Sequence, residues 1–164
     1  MTPGDALLDV SSSWPEVHAA PGDDVIAEGG SSQRLLVLVE GALEVRRGTE
    51  VVAIIDQPGA CIGEIALLLG TPHSAGVVAS APSTLRVLEN AGEALATDTA
   101  LLGPVAAILA SRLRLVTAYL ADLTRQYSDA GAGLGMVSEV LSSLSLHQGD
   151  EMEPGSERES EAPY

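Results

Sequence analysis

The stretch Gly59-Ala60-Cys61-Ile62-Gly63-Glu64-Ile65-Ala66-Leu67-Leu68-Leu69-Gly70-Thr71-Pro72-His73-Ser74-Ala75 decides how this chain is read. Gly63 permits a sharp backbone turn. Glu64 through Leu69 are good helix formers, and Gly70-Thr71-Pro72 stops them. The expectation is a helix of one to two turns lodged between two strands. A short helix that follows a glycine leaves N–H groups free and presents the positive end of its dipole, which suits a phosphate. The plainer reading is a crossover helix, with Glu64 as its cap.

Outward from this stretch, residues 17–92 read as strands. Pro21-Gly22-Asp23 opens a turn before Val25-Ile26, and Gly29-Gly30-Ser31-Ser32 breaks that strand. Leu35-Leu36-Val37-Leu38-Val39 is a continuous apolar run that ends at Glu40-Gly41. Ala42-Leu43-Glu44-Val45 leads into a hairpin turn at Arg46-Arg47-Gly48, answered by Val51-Val52-Ala53-Ile54-Ile55. Gly76-Val77-Val78-Ala79 and Thr84-Leu85-Arg86-Val87-Leu88 come after the helix. Short β-branched runs spaced near ten residues apart predict an all-β sandwich or barrel.

The period changes after residue 93. Leu102, Ala106, Leu109, Leu113, Val116, Leu120, Leu123 and Tyr127 alternate steps of four and three, a repeat of about 3.5 residues. This predicts a long helix over 93–127 whose stripe is a dimer seam, capped by Thr97, Asp98 or Thr99. Pro104 is tolerable only near its first turn. Leu101, Val105, Ile108 and Leu115 make a second stripe, so one helix can face its own domain and a second copy. The alternative is a single helix lying on the sandwich. Residues 1–16 read as a helical or irregular lead-in. Residues 128–149 read as a flexible linker with a short helix over 136–146, and 150–164 as a disordered acidic tail.

Composition narrows the function. The chain has 164 residues and a net charge of −15, and all eight of its basic residues are arginine. The tail holds six acids and one Arg, so the body remains at −10. Such a chain offers no electrostatic footprint for nucleic acid or anionic lipid. Its four aromatics, Trp14, Tyr119, Tyr127 and Tyr164, are too few for base stacking. No apolar run reaches the length of a membrane span, and the N-terminus lacks a signal peptide's basic and apolar regions. The expectation is a soluble, cytoplasmic protein; arginine without lysine suits a GC-rich bacterial genome. Cys61 is the single cysteine, and His18, His73 and His147 are scattered, so no metal centre or cofactor is expected. Cys61 reads as a buried, inert thiol. No nucleophile motif or paired carboxylate marks an enzyme.

Three blocks in order resemble the cyclic nucleotide-binding domain family. Pro21-Gly22-Asp23-Asp24-Val25-Ile26-Ala27-Glu28-Gly29 is similar to its first turn and strand. Leu35 through Val45 is similar to its second block. Gly63-Glu64-Ile65-Ala66-Leu67-Leu68, with Thr71-Pro72-His73-Ser74-Ala75, resembles its phosphate-binding cassette. With the long helix to Tyr127, the resemblance covers about two-thirds of the chain. It implies a mainly β fold, an eight-stranded jelly roll with a short cassette helix and a long C-terminal helix. It implies that Glu64 accepts a hydrogen bond from a ribose 2′-OH. Backbone groups at Gly63, Ile65 and Ala66, and donors around Ser74 and Ala75, would hold a phosphate. The ligand implied is cAMP or cGMP. The long helix would close over the base and form the seam of a homodimer.

One residue departs from the family pattern. His73 stands where the cassette has an arginine. Arginine grips a phosphate with a permanent, planar, two-pronged charge; histidine offers one or two donors and a charge only in mildly acidic solution. That loss costs about 2–4 kcal/mol, or roughly 30- to 1,000-fold in affinity. His73 thus leaves three readings: weaker phosphate binding, another ligand, or a lost ligand. Gly76 removes a further pocket contact. No DNA-binding module fits into the residues after Tyr127. The expectation is therefore a free-standing regulatory module with weakened or altered ligand binding and a protein partner not named by the sequence. Its competitor is a ligand-independent adaptor on the same fold.

Overall fold

A computed structural model describes residues 1–128, together with residues 137, 139, 140, 142 and 143. The elements run in the order α1 (Pro3–Val10), a 3-10 turn (Ser11–Ser13), β1 (Glu16–Ala19), β2 (Asp24–Ile26), β3 (Leu35–Glu40), β4 (Leu43–Arg47), β5 (Glu50–Ile55), β6 (Cys61–Ile62), α2 (Glu64–Leu69), β7 (Gly76–Ala79), β8 (Ser83–Leu88), α3 (Ala91–Thr97) and α4 (Thr99–Ser128). By compactness the chain divides into two units, Met1–Arg112 and Leu113–Tyr164.

The first unit carries the jelly roll. Its strands form two antiparallel four-stranded sheets, β1-β8-β3-β6 and β2-β7-β4-β5. Register is set by apolar alternation. Leu36 lies opposite Val87 and Leu38 opposite Leu85, and all four point into the core shared by Leu43, Val77 and Ala79. The intervening residues, Leu35 and Val37, point the other way. There they meet Leu7 of α1, Ala91 and Leu95 of α3, and Leu101 and Val105 of α4. β3 is thus buried on both faces, which explains its continuous apolar run. Fully burying a Leu or Val of this kind is worth about 1.5–3 kcal/mol.

The helices are ended by local chemistry. Thr2 and Asp5 form a reciprocal capping box at α1. Asp98 separates α3 from α4 and caps the latter, its Oδ1 accepting from the Ala100 N–H at 2.9 Å. The region from residue 93 is therefore not one helix, because α3 ends at Thr97. Pro104 lies inside α4, deeper than the first turn. Of the two stripes on α4, the Leu101–Val105 stripe is the buried one, joined by half-buried Ile108; Leu115, expected to continue it, is exposed. On the other stripe Leu102, Leu109, Leu120 and Leu123 are half-buried and Ala106 is exposed, while Leu113 and Val116 are 53% and 54% exposed.

The helix over Thr99–Gln126 is long and apolar enough to cross a membrane, by length and composition. Arg112 and Arg114 interrupt its middle, and its first turns belong to the domain core. In the second unit, residues 137, 139, 140, 142 and 143 are helical. The remaining positions of the expected 136–146 helix, the linker from residue 129, the tail 150–164 and the side chain of Tyr127 lie outside the described residues.

Candidate functional site

α2 is placed by its glycine. Gly63 has φ 92°, and a Cβ there would come within 2.6 Å of the Arg34 carbonyl oxygen. Only glycine meets both conditions. Gly70, also left-handed, closes the other end, so six helical residues are inserted between β6 and β7. Gly63 itself is the N-cap, and no side chain caps the helix. The reading of Glu64 as a cap is thereby set aside.

Beside α2 lies a cavity of about 270 Å³, slightly under the usual range of about 300–1,000 Å³ for small-molecule sites. Gly63, Glu64, Ile65, Ala66, His73, Ser74 and Ala75, the residues expected from sequence, all line it. Its apolar wall comes from Ile26, Val45, Ile55, Ile62 and Val77 of the inter-sheet core, with Leu69 of α2 at the rim. A second hollow, about 470 Å³, opens beside β1 and β2 and holds none of these residues.

In the cavity lining Glu64 is 2% exposed. Its Oε1 accepts from Arg112 Nη1 at 2.5 Å. The same guanidinium donates through Nη2 to the Cys61 carbonyl oxygen at 2.9 Å. Burial pushes the Glu64 carboxyl above its ordinary range, and the arginine partly offsets this. Burial, reinforced by Glu64, pushes the Cys61 thiol up to about 12. Cys61 is a protonated core residue, unsuited to nucleophilic chemistry.

His73, also in the lining, is 6% exposed and tethered to the loop before β3. Its ring Nε2 and the Ser32 hydroxyl are hydrogen-bonded at 2.8 Å. Its backbone N–H donates to the Gly30 carbonyl and its carbonyl accepts from the Gly29 N–H, both at 2.8 Å. The Gly29-Gly30-Ser31-Ser32 segment, read as a strand break, is thus the mount of the cassette histidine.

Arg112 and Ser32 were absent from the sequence-derived site. A signal for Arg112 exists in the sequence. Leu101, Val105 and Ile108 step by four and three along the core-facing stripe, and the next step of four reaches Arg112. A charge at a core-facing position demands a buried partner, and Glu64 is that partner. Among the described residues no group of His, Cys, Asp or Glu is arranged to hold a metal ion.

Comparisons with known proteins bear on the same residues. Residues 16–92 match the family described as cyclic nucleotide-binding domain. A cAMP-dependent protein kinase regulatory subunit of Blastocladiella emersonii is 37% identical over 89 residues, covering 52% of this chain and 22% of that protein. The chain spans about a fifth of the length of the curated relatives it matches. The catabolite activator protein of Thermus thermophilus aligns with a TM-score of 0.56 at 23% identity, covering 85% of this chain and 82% of that one, a likeness of fold. The regulatory subunit of a cAMP-independent protein kinase A from Trypanosoma brucei aligns with a TM-score of 0.50 at 26% identity, covering 61% of this chain and 35% of that one. With the two sheets, the inserted helix and the long helix after the barrel in place, residues 16–92 belong to the cyclic nucleotide-binding domain family.

Proposed function

We propose that this protein is a non-catalytic regulatory module that binds a cyclic nucleotide, cAMP or cGMP, more weakly than a cassette with an arginine would. The observation that carries this reading is the cavity beside α2. Its carboxylate is buried, its apolar wall suits a purine, and its seven cassette residues converge. A ribose hydroxyl would donate to Glu64, and the phosphate would lie between the backbone N–H groups of Ile65 and Ala66 at the start of α2 and the donors of Ser74 and Ala75. His73, already engaged with Ser32, supplies less than the permanent two-pronged grip of an arginine. An anionic ligand also approaches a chain of net charge −15 against its field.

Output runs through α4. Leu113 and Val116 expose apolar surface at seam positions. We infer that a second copy packs along the stripe from Leu102 to Tyr127. Ligand binding then shifts a pre-existing equilibrium at that helix, and a protein partner reads it. Leu113→Glu should convert the dimer to a monomer in sedimentation; an unchanged mass removes the seam.

Calorimetric titration with cAMP and cGMP tests the binding. Saturable heat supports the sensor reading. The tether on His73 favours a second reading, a ligand-independent adaptor on the same fold. The Trypanosoma brucei neighbour, a regulatory subunit of a cAMP-independent kinase, gives such independence a precedent. That reading predicts no heat at millimolar nucleotide.

A further inference from the structure

The cavity has to reconcile a buried carboxylate with an anionic ligand. Two lining residues form an acid–base pair, Glu64 and Arg112. Glu64 alone would repel a phosphate. Arg112 lies 2.5 Å from it, so the two charges sum to zero where the ligand would lie. The guanidinium has five N–H donors, and two contacts are made, to Glu64 Oε1 and the Cys61 carbonyl. Its side chain is 38% exposed, whereas that of Glu64 is 3% exposed. Arg112 thus lines the cavity with donors beyond these two contacts and with solvent access, while its partner stays buried. His73, the other cationic residue type in the lining, has Nε2 engaged with Ser32.

We propose that Arg112 selects the charge of the ligand: its guanidinium, delivered from α4 rather than from the cassette, meets the phosphate of a cyclic nucleotide while Glu64 takes the sugar. This rests on the cyclic-nucleotide reading above. It gives Arg112 two roles, holding the cassette carboxylate and supplying the cation that the cassette itself lacks.

The test compares a cyclic nucleotide with its uncharged nucleoside. The affinities of cAMP and adenosine, and of cGMP and guanosine, are measured by calorimetry for the full chain and for Arg112→Gln, Arg112→Lys and His73→Ala. Wild type should prefer the cyclic nucleotide. Arg112→Gln should lower that preference about 10- to 100-fold, the loss of a charge-assisted pair, over and above any loss common to both ligands through Glu64, which it also holds. Arg112→Lys should retain part of the preference, and His73→Ala most of it. Because Arg112→Gln leaves Glu64 buried without its partner, the double variant Glu64→Gln/Arg112→Gln provides a second, folded reference, checked by thermal melting. It should bind the cyclic nucleotide no better than the nucleoside. If Arg112→Gln weakens both ligands equally, or keeps the full preference, Arg112 is a structural prop and the proposal is wrong while the sensor reading stands. If wild type binds no cyclic nucleotide, both fail together.

Discussion

Two residues that line one cavity, Glu64 and His73, are held in different ways. The buried Glu64 carboxyl is matched by the guanidinium of a residue 48 positions away. The buried His73 ring is matched by a hydroxyl, with two backbone hydrogen bonds behind it. The first arrangement preserves ionic chemistry at the price of coupling the cassette to α4. The second fixes a side chain in place without a permanent charge. The lesson is that the short inserted helix keeps its glutamate while the arginine bonded to it comes from another element.

The largest effect should come from making the two arrangements alike. His73→Arg places a permanent cation on the cassette, and affinity for cAMP or cGMP should rise about 10- to 100-fold by calorimetry. An unchanged affinity would mean that His73 does not face the ligand.

Glu64→Gln changes the other residue. The folded Glu64 carboxyl is raised by burial. A group raised on folding stabilises while protonated in both states, and that stability is lost as pH rises through its folded value. Wild type should therefore lose stability as pH climbs from the ordinary carboxylate range, and Glu64→Gln should lack that component. Melting curves from pH 4 to 8 read the difference; parallel curves would contradict it.

Cys61 reports on the floor beside Glu64. With its thiol pushed up to about 12, it should resist a thiol-reactive disulfide at pH 8 until the domain unfolds. Rapid labelling of the native protein would show that the floor beside Glu64 opens. The smallest effect belongs to Ser32→Ala, which removes the tether on His73. It should cost about 0.5–1.5 kcal/mol of stability and change nucleotide affinity little. A large change in affinity would give Ser32 a direct ligand role.

The short inserted helix was legible from one stretch of sequence, because its glycine and proline punctuation specify it; the seven site residues on and after it came from the resemblance to the cyclic nucleotide-binding domain family. All seven line the one cavity. Arg112 was not legible as a partner because sequence reveals which face of a helix a residue occupies but not what it meets across 48 positions. Its place on the Leu101–Val105–Ile108 stripe was the available clue. Short strands escaped for another reason. β6 has two residues and β1 four exposed or half-buried ones, too little pattern to register as strands. Apolar runs were read as strands correctly but not as inside or outside. Leu35 to Val39 is buried apart from its last residue, which is half-buried, whereas Val51 to Ile54 is exposed at the edge of its sheet.

Titration of the wild-type chain with cAMP and cGMP, beside the matching titration of His73→Arg, tests the central claim most directly. Saturable binding by wild type, tightened in His73→Arg, is the predicted result. Silence from both proteins at millimolar nucleotide, with the fold intact by melting, would contradict it.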